Sequence, residues 1–263
     1  MSHETKSRRN FIRRSALGIG TAAFVGSVAN AMIIPQSNKH KDQKKLHIVC
    51  MGAHPGDPEF GCGGTMIHYS DAGHVLSFLY LTRGEASDPS KTFSEMASLR
   101  TREAEASCKI INAKPLFAGQ IDGNTVLDKG KNEELYKMIL EQKPDILFSQ
   151  WPIDTHPDHQ VTGLLALSSW VRSGRQFHLY FYEVNTGSET MGFSPTDYVD
   201  IASVHERKKA AMFAHKTQSP EETYTTFFKP MEEFRGLEAG VKMAESFIHF
   251  KPAAERAHIF GLV

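Results

Sequence analysis

From residue 46 onward, apolar runs of strand length alternate with stretches that repeat every three to four positions. Residues 46–51 and 75–81 read as strands, with a helix over 65–72 between them after a glycine-rich turn. The spacing then predicts a helix over 94–111, with Met96, Leu99, Ala106, Ile110 and Ile111 facing inward, and a short strand over 114–117. A helix over 132–142, a strand over 145–149, a helix over 161–171 and a strand over 178–183 complete the alternation. Near the C-terminus, residues 205–215 and 231–250 read as helices and 258–263 as a last strand. Strands that alternate with helices imply βαβ units, hence an α/β fold: a Rossmann-like, mostly parallel sheet with helices on both faces, in one domain. In such sheets ligands bind beyond the carboxyl ends of the strands, so the loops after Met51, Leu81 and Ser149 are the ones to read for chemistry.

Ahead of this pattern, Lys6, Arg8, Arg9, Arg13 and Arg14 precede the apolar run of residues 16–25, and Ala29-Asn30-Ala31 follows. A basic region, a short apolar region and a small-x-small site make an export signal. Ser7-Arg8-Arg9-Asn10-Phe11-Ile12 resembles the twin-arginine motif, so residues 1–31 are expected to direct export, to the periplasm. Residues 32–45, rich in lysine, read as a polar linker, and 46–263 as the folded domain. The apolar run is well short of the roughly 20 residues that span a bilayer, and no later stretch is long enough, so no stable membrane span is expected after processing.

This segment changes the meaning of the charge balance. The chain has 30 Lys+Arg against 30 Asp+Glu, but five of those bases and only Glu4 among the acids lie in the signal. The remaining domain is mildly acidic, which argues against nucleic acid as a partner. Cys50, Cys62 and Cys108 lack the spacing of a structural zinc site; Cys50 and Cys108 read as core residues, although a Cys50–Cys62 disulfide is compatible with an oxidising compartment.

Two of the loops carry chemistry. After the first strand come His54, Gly56, Asp57 and Glu59, then Gly61, Gly63 and Gly64. After the strand ending at Ser149 come Trp151, Asp154, His156, Asp158 and His159. Two histidines and a carboxylate with a coordination position left for water are a common catalytic zinc arrangement. Iron and other divalent ions also suit it.

These residues resemble the PIG-L/LmbE-like family of zinc-dependent N-acetylglucosamine-type deacetylases. Its members carry His-Pro-Asp-Asp-x-Glu with a Gly-Gly-Thr turn, and later His-Pro-Asp-His. The likeness extends to residues 81–85, to Arg100, Arg102 and Glu103, to 214–218 and to 233–245. By position, the resemblance implies zinc ligands at His54, Asp57 and His159. It implies that His156 stabilises the oxyanion or protonates the leaving amine, with Asp158 as the carboxylate that fixes its tautomer. The substrate implied is a small N-acetylated sugar or its conjugate.

One position departs from the family. Its general base, the first Asp of Asp-Asp, is Gly56 here, and losing a general base costs about 10²–10⁴-fold in rate. Glu59, Asp154 and Glu85 lie in the same predicted loops and could serve as replacements, but each reads first as a turn carboxylate bonding backbone amides. Arg83 and Glu85 are cleft candidates or a surface ion pair, and His215 is a cleft residue or a packed helical histidine. Trp151 reads as packing or a sugar platform, and Arg100, Arg102 and Glu103 as a salt-bridge set or a substrate anchor. Two alternatives to a deacetylase stay open, a metal-containing carbohydrate-binding protein with little catalysis and a zinc hydrolase of another bond.

Overall fold

A computed structural model describes residues 44–186 and 188–251. The export segment, most of the linker and the strand expected over 258–263 lie outside them.

Strands β1 (His47–Gly52), β2 (Val75–Tyr80), β3 (Lys114–Phe117), β4 (Ile146–Gln150), β5 (His178–Tyr182), β6 (Asp197–Asp200) and β7 (Ala244–Phe250) form one seven-stranded sheet. Its order is β3-β2-β1-β4-β5-β7-β6. Strands β1 to β5 pair in parallel and β7 pairs antiparallel with both β5 and β6. The helices are α1 (Asp57–Asp71), α2 (Phe93–Ile111), α3 (Lys129–Glu141), α4 (Pro157–Arg172), α5 (His205–Met212), α6 (Pro220–Thr223) and α7 (Lys229–Ala239). The order reverses between β1 and β4, so the loops leaving these neighbouring strands open at one switch point, where open α/β sheets hold ligands.

Period-two alternation divides the buried side chains between two faces. Cys50, Phe78, Tyr80 and Phe148 pack with Phe60, Met66, Cys108 and Met212, under α1, α2 and α5. Val49, Met51, Leu79 and Leu147 pack with Leu135, Ile139, Leu165 and Trp170, under α3 and α4. Burial on both faces explains why the strands read as continuous apolar runs.

Three expectations are corrected. The helix predicted over 231–250 ends at Ala239, where Gly240 adopts a left-handed φ of 72° and caps it; the following residues form β7. Pairing with β5 and β6 outweighs local helical spacing there. The predicted glycine turn is instead the start of α1, whose backbone departs from helical geometry at Cys62. A Cβ on Gly61 would collide with the Tyr182 ring, so glycine at that position permits close packing of helix on sheet. The inward stripe of α2 is Met96, Arg100, Ala104, Ser107, Cys108 and Ile111, whereas Ala106 faces solvent.

The three cysteines are buried free thiols, with Cys50 and Cys62 Sγ 3.0 Å apart. No helix among the described residues is long and apolar enough to cross a membrane.

Candidate active site

Both motifs fold as helix starts. His54 follows β1, Gly56 is the N-cap of α1, and Asp57 and Glu59 occupy its first turn. His156 is the N-cap of α4, Pro157 opens the helix, and Asp158 and His159 complete its first turn. A proline at the first helical position and carboxylates near the positive end of the helix dipole are favourable there. The sequence that carries the chemistry is therefore also what starts each helix, and two helix starts meet at the switch point.

Asp57 Oδ2 lies 3.4 Å from His54 Nδ1 and 3.7 Å from His159 Nε2. His156 stands over both rings, with ring centroids 4.8 Å from His54 and 4.6 Å from His159. The far nitrogens of the two ligand candidates face carboxylates. His54 Nε2 is 3.1 Å from both Asp122 and Asp158, and His159 Nδ1 is 3.3 Å from Asp154. Carboxylates placed behind imidazoles in this way fix the tautomer and raise the basicity of the nitrogen in front.

The charge of the cluster is one-sided. Asp57, Asp122, Asp154 and Asp158 converge on the imidazoles of His54 and His159, each with an oxygen within 3.7 Å of a ring nitrogen. Burial would lower the His54 pKa, but contacts with Asp122, Asp158 and Asp57 outweigh it and raise it well above its ordinary value. Burial likewise opposes the charged form of His159, and Asp57 and Asp154 overcome it. For Asp57 burial acts upward, yet His159 and His54 hold it below the usual carboxylate range. His156 moves the other way, lowered by burial and by the charges of His159 and His54. Buried carboxylates in excess of fixed cations are the environment of a bound cation, and the donor set fits zinc or another divalent ion. Among the described residues, His54, His156 and His159 form a group whose ligand atoms lie within 4.8 Å of one another.

These residues line a cavity of about 330 Å³ together with Phe60, Arg100, Asp122, Asn185, Glu189 and Gln218. Burial raises the Glu189 carboxyl. Arg100 reaches the cavity from the buried stripe of α2 and donates to the carbonyls of Pro55 (2.8 Å) and Gly84 (3.3 Å).

The other predicted residues fall into place around the cavity. The Asp158 carboxylate serves His54, Gly123 N–H (2.8 Å) and Thr125 hydroxyl (2.6 Å). Its contribution to His156 comes from its backbone N–H, which donates to Nδ1 over 3.3 Å, and not from the carboxylate expected to set that tautomer. Asp154 backs His159 and accepts from His156 N–H (2.8 Å) and the Thr190 hydroxyl (3.0 Å). Glu59 is fully buried away from the cavity. It accepts from Gly56 N–H (3.2 Å) and Tyr80 hydroxyl (2.7 Å) and lies 3.1 Å from His215 Nε2. His215 is itself fully buried beyond Phe60.

Glu85 accepts from Arg83 N–H (2.9 Å), a turn carboxylate on its own backbone. Arg83 lies over the Phe117 ring and donates to Thr101. Trp151 packs on Phe181 and Phe193 and donates to the Met191 carbonyl. Arg102 donates to Ser98, while Glu103 accepts from Thr217. Sequence reasoning missed Asp122, Glu189, Asn185 and Gln218 as cavity residues.

Residues 49–170 match the PIG-L family, described as GlcNAc-PI de-N-acetylase. The diacetylchitobiose deacetylase of Thermococcus kodakarensis is 28% identical, over 81% of this chain and 88% of that protein. Among solved structures, the N,N'-diacetylchitobiose deacetylase of Pyrococcus horikoshii superposes with a TM-score of 0.70 at 24% identity, covering 82% of this chain and 87% of that one. GalB of Pseudomonas putida KT2440, a 4-carboxy-2-hydroxymuconate hydratase, superposes with a TM-score of 0.69 at 21% identity, covering 80% and 97%. The Thermococcus likeness is one of sequence, and the two likenesses to solved structures are of fold.

Proposed function

Because this chain belongs to the PIG-L/LmbE-like family, we propose that it is a zinc-dependent hydrolase that removes an N-acyl group, acetyl in the first instance, from an amino sugar or its conjugate. One observation carries the reading: Asp57 Oδ2 lies within 3.7 Å of both His54 Nδ1 and His159 Nε2, and each histidine has a carboxylate behind it. These three would hold the zinc. When bound, zinc lowers the pKa of its water toward neutrality and polarises the acyl carbonyl.

The chain's own residues supply the rest. Asp158 N–H occupies His156 Nδ1, which leaves Nε2 as the edge of the ring able to carry and deliver a proton. His156 is the group that stabilises the oxyanion or protonates the leaving amine. Arg100 holds the Pro55 carbonyl, and so holds the loop between His54 and Asp57. A cavity of about 330 Å³ has room for a single sugar residue rather than a buried oligosaccharide. Export by the twin-arginine pathway to the periplasm belongs to the same proposal and rests on residues 7–31.

The test is acetate release by the full chain loaded with one equivalent of zinc, from a panel of N-acetylated amino sugars and conjugates. Turnover abolished by chelation and restored by zinc supports the proposal; absence of acetate across the panel rejects it. Gly56 favours a second reading, a metal-containing carbohydrate-binding protein, whose signature is saturable sugar binding without turnover.

A further inference from the structure

We propose that Gln218 is a positioning residue that orients the attacking water, and that its side chain occupies the volume an acidic residue at position 56 would need. The inference rests on the hydrolase reading of the same cavity.

Gly56 has φ 110° and ψ −39°, a conformation that L side chains rarely adopt. A Cβ built there lies 2.8 Å from Gln218 Nε2, 3.2 Å from its Oε1 and 3.1 Å from Phe60 Cε2. The space beside the metal loop is therefore filled by a carboxamide.

The carboxamide is held on several sides. Its Nε2 donates to the Pro55 carbonyl over 2.8 Å, the same oxygen that Arg100 holds. Its backbone sits in the 3₁₀ turn Lys216–Gln218, pinned to α2 by Thr217, whose N–H and hydroxyl both donate to Glu103 (2.9 and 2.7 Å). Its carbonyl accepts from the Thr223 hydroxyl at 2.9 Å. With Nε2 committed to Pro55, Oε1 is the group left to face a ligand in the cavity that Gln218 lines with His54, Asp57, His156 and His159.

An amide oxygen accepts a hydrogen bond but takes no proton near neutral pH. Gln218 can thus aim a water O–H without acting as base. In the overall step the water oxygen bonds to the acyl carbon and the C–N bond breaks. The acid leaves as its carboxylate and the amine leaves protonated, so both water protons end on nitrogen and Gln218 neither gives nor takes one.

The test uses the zinc-loaded full chain with Gln218→Ala, Gln218→Met, Gly56→Asp and the double variant Gly56→Asp/Gln218→Ala. Losing one oriented hydrogen bond lowers kcat about tenfold with KM within about twofold. Methionine keeps the volume, so it must lose kcat like alanine; full activity in Gln218→Met would show a mere filler and overturn the proposal. Gly56→Asp alone gains nothing, whereas the double variant, with room for the carboxylate, exceeds Gln218→Ala by about tenfold or more.

A second readout needs no substrate. The thermal destabilisation caused by Gly56→Ala shrinks when Gln218→Ala is added, and strictly additive shifts would overturn the juxtaposition. Acetate release by wild type with all Gln218 variants unchanged rejects this inference and leaves the hydrolase reading intact. No acetate from wild type or any variant rejects both.

Discussion

Asp158→Asn removes one charge from behind His54 while keeping the shape of the side chain. The Asp158 oxygen that faces His54 Nε2 (3.1 Å) also accepts from Gly123 N–H (2.8 Å), and the other accepts from the Thr125 hydroxyl (2.6 Å). An asparagine with its oxygen on the first side keeps those two contacts, and its NH₂ meets a hydroxyl that can rotate to accept. The substitution therefore isolates charge, and the stability of the metal-free fold is expected to change by less than about 1 kcal/mol. Loss of a carboxylate behind a metal-binding histidine weakens metal binding about 10–100-fold, or about 1.4–2.7 kcal/mol. Asp122 stands equally close to the same nitrogen at 3.1 Å and takes up part of the role, so the single variant belongs at the low end. Adding Asp122→Asn then costs more in the Asp158→Asn background than in wild type, because the first loss removes the substitute. Competition titration of zinc against a chromophoric chelator at fixed pH measures each affinity, with thermal denaturation of the metal-free protein as control. Zinc affinity within threefold of wild type in the double variant would refute the assignment of His54 as a carboxylate-backed ligand.

Three further outcomes are expected. Lys208 is almost fully buried between Glu232 (2.6 Å) and Glu245 (2.7 Å), so Lys208→Met strands two carboxylates and should cost about 3–5 kcal/mol in chemical denaturation; a loss below about 1 kcal/mol contradicts that account. Hydrogen bonding to Glu232 raises the His205 pKa above its ordinary 6.5. Its contribution is thus full below that value and fades as pH rises through the raised one, so the stability advantage of wild type over His205→Gln should shrink from pH 6 to pH 8, and a constant difference argues against it. Because the cluster is assembled only in the folded chain, zinc at 100 times its Kd should stabilise the wild-type fold by about 2.7 kcal/mol, read as a rise in Tm that His159→Ala abolishes.

The parallel half of the sheet was legible because strands buried on both faces leave continuous apolar runs and glycines mark the loops between them. The antiparallel edge was not. Residues 244–250 become a strand by pairing with β5 and β6, and the four residues of β6 have three exposed members and no apolar signature. The metal loops were legible for a related reason: a site residue that also starts a helix leaves a motif with fixed spacing, as at His156, Pro157, Asp158 and His159.

Residues that reach the site across the fold leave no such spacing. Asp122 comes from the loop after β3, and Gln218 from a short turn held by Glu103 and Thr223. The signal available for both was indirect. A buried Arg100 in the apolar stripe of α2 has to find acceptors, and the carbonyls it finds are Pro55 and Gly84, on the two loops that follow β1 and β2. Gly56 illustrates the limit from the other side. Read along the chain it is a missing acid. In three dimensions it is a backbone position with φ 110° where a Cβ would lie 2.8 Å from Gln218 Nε2, so any side chain there meets the carboxamide of Gln218. A base sought among sequence neighbours, such as Glu59, is spent on capping α1 and on Tyr80 and His215. Replacement chemistry in this cavity has to come from residues distant in sequence, and the carboxylates available there from such positions are Asp122 and Glu189.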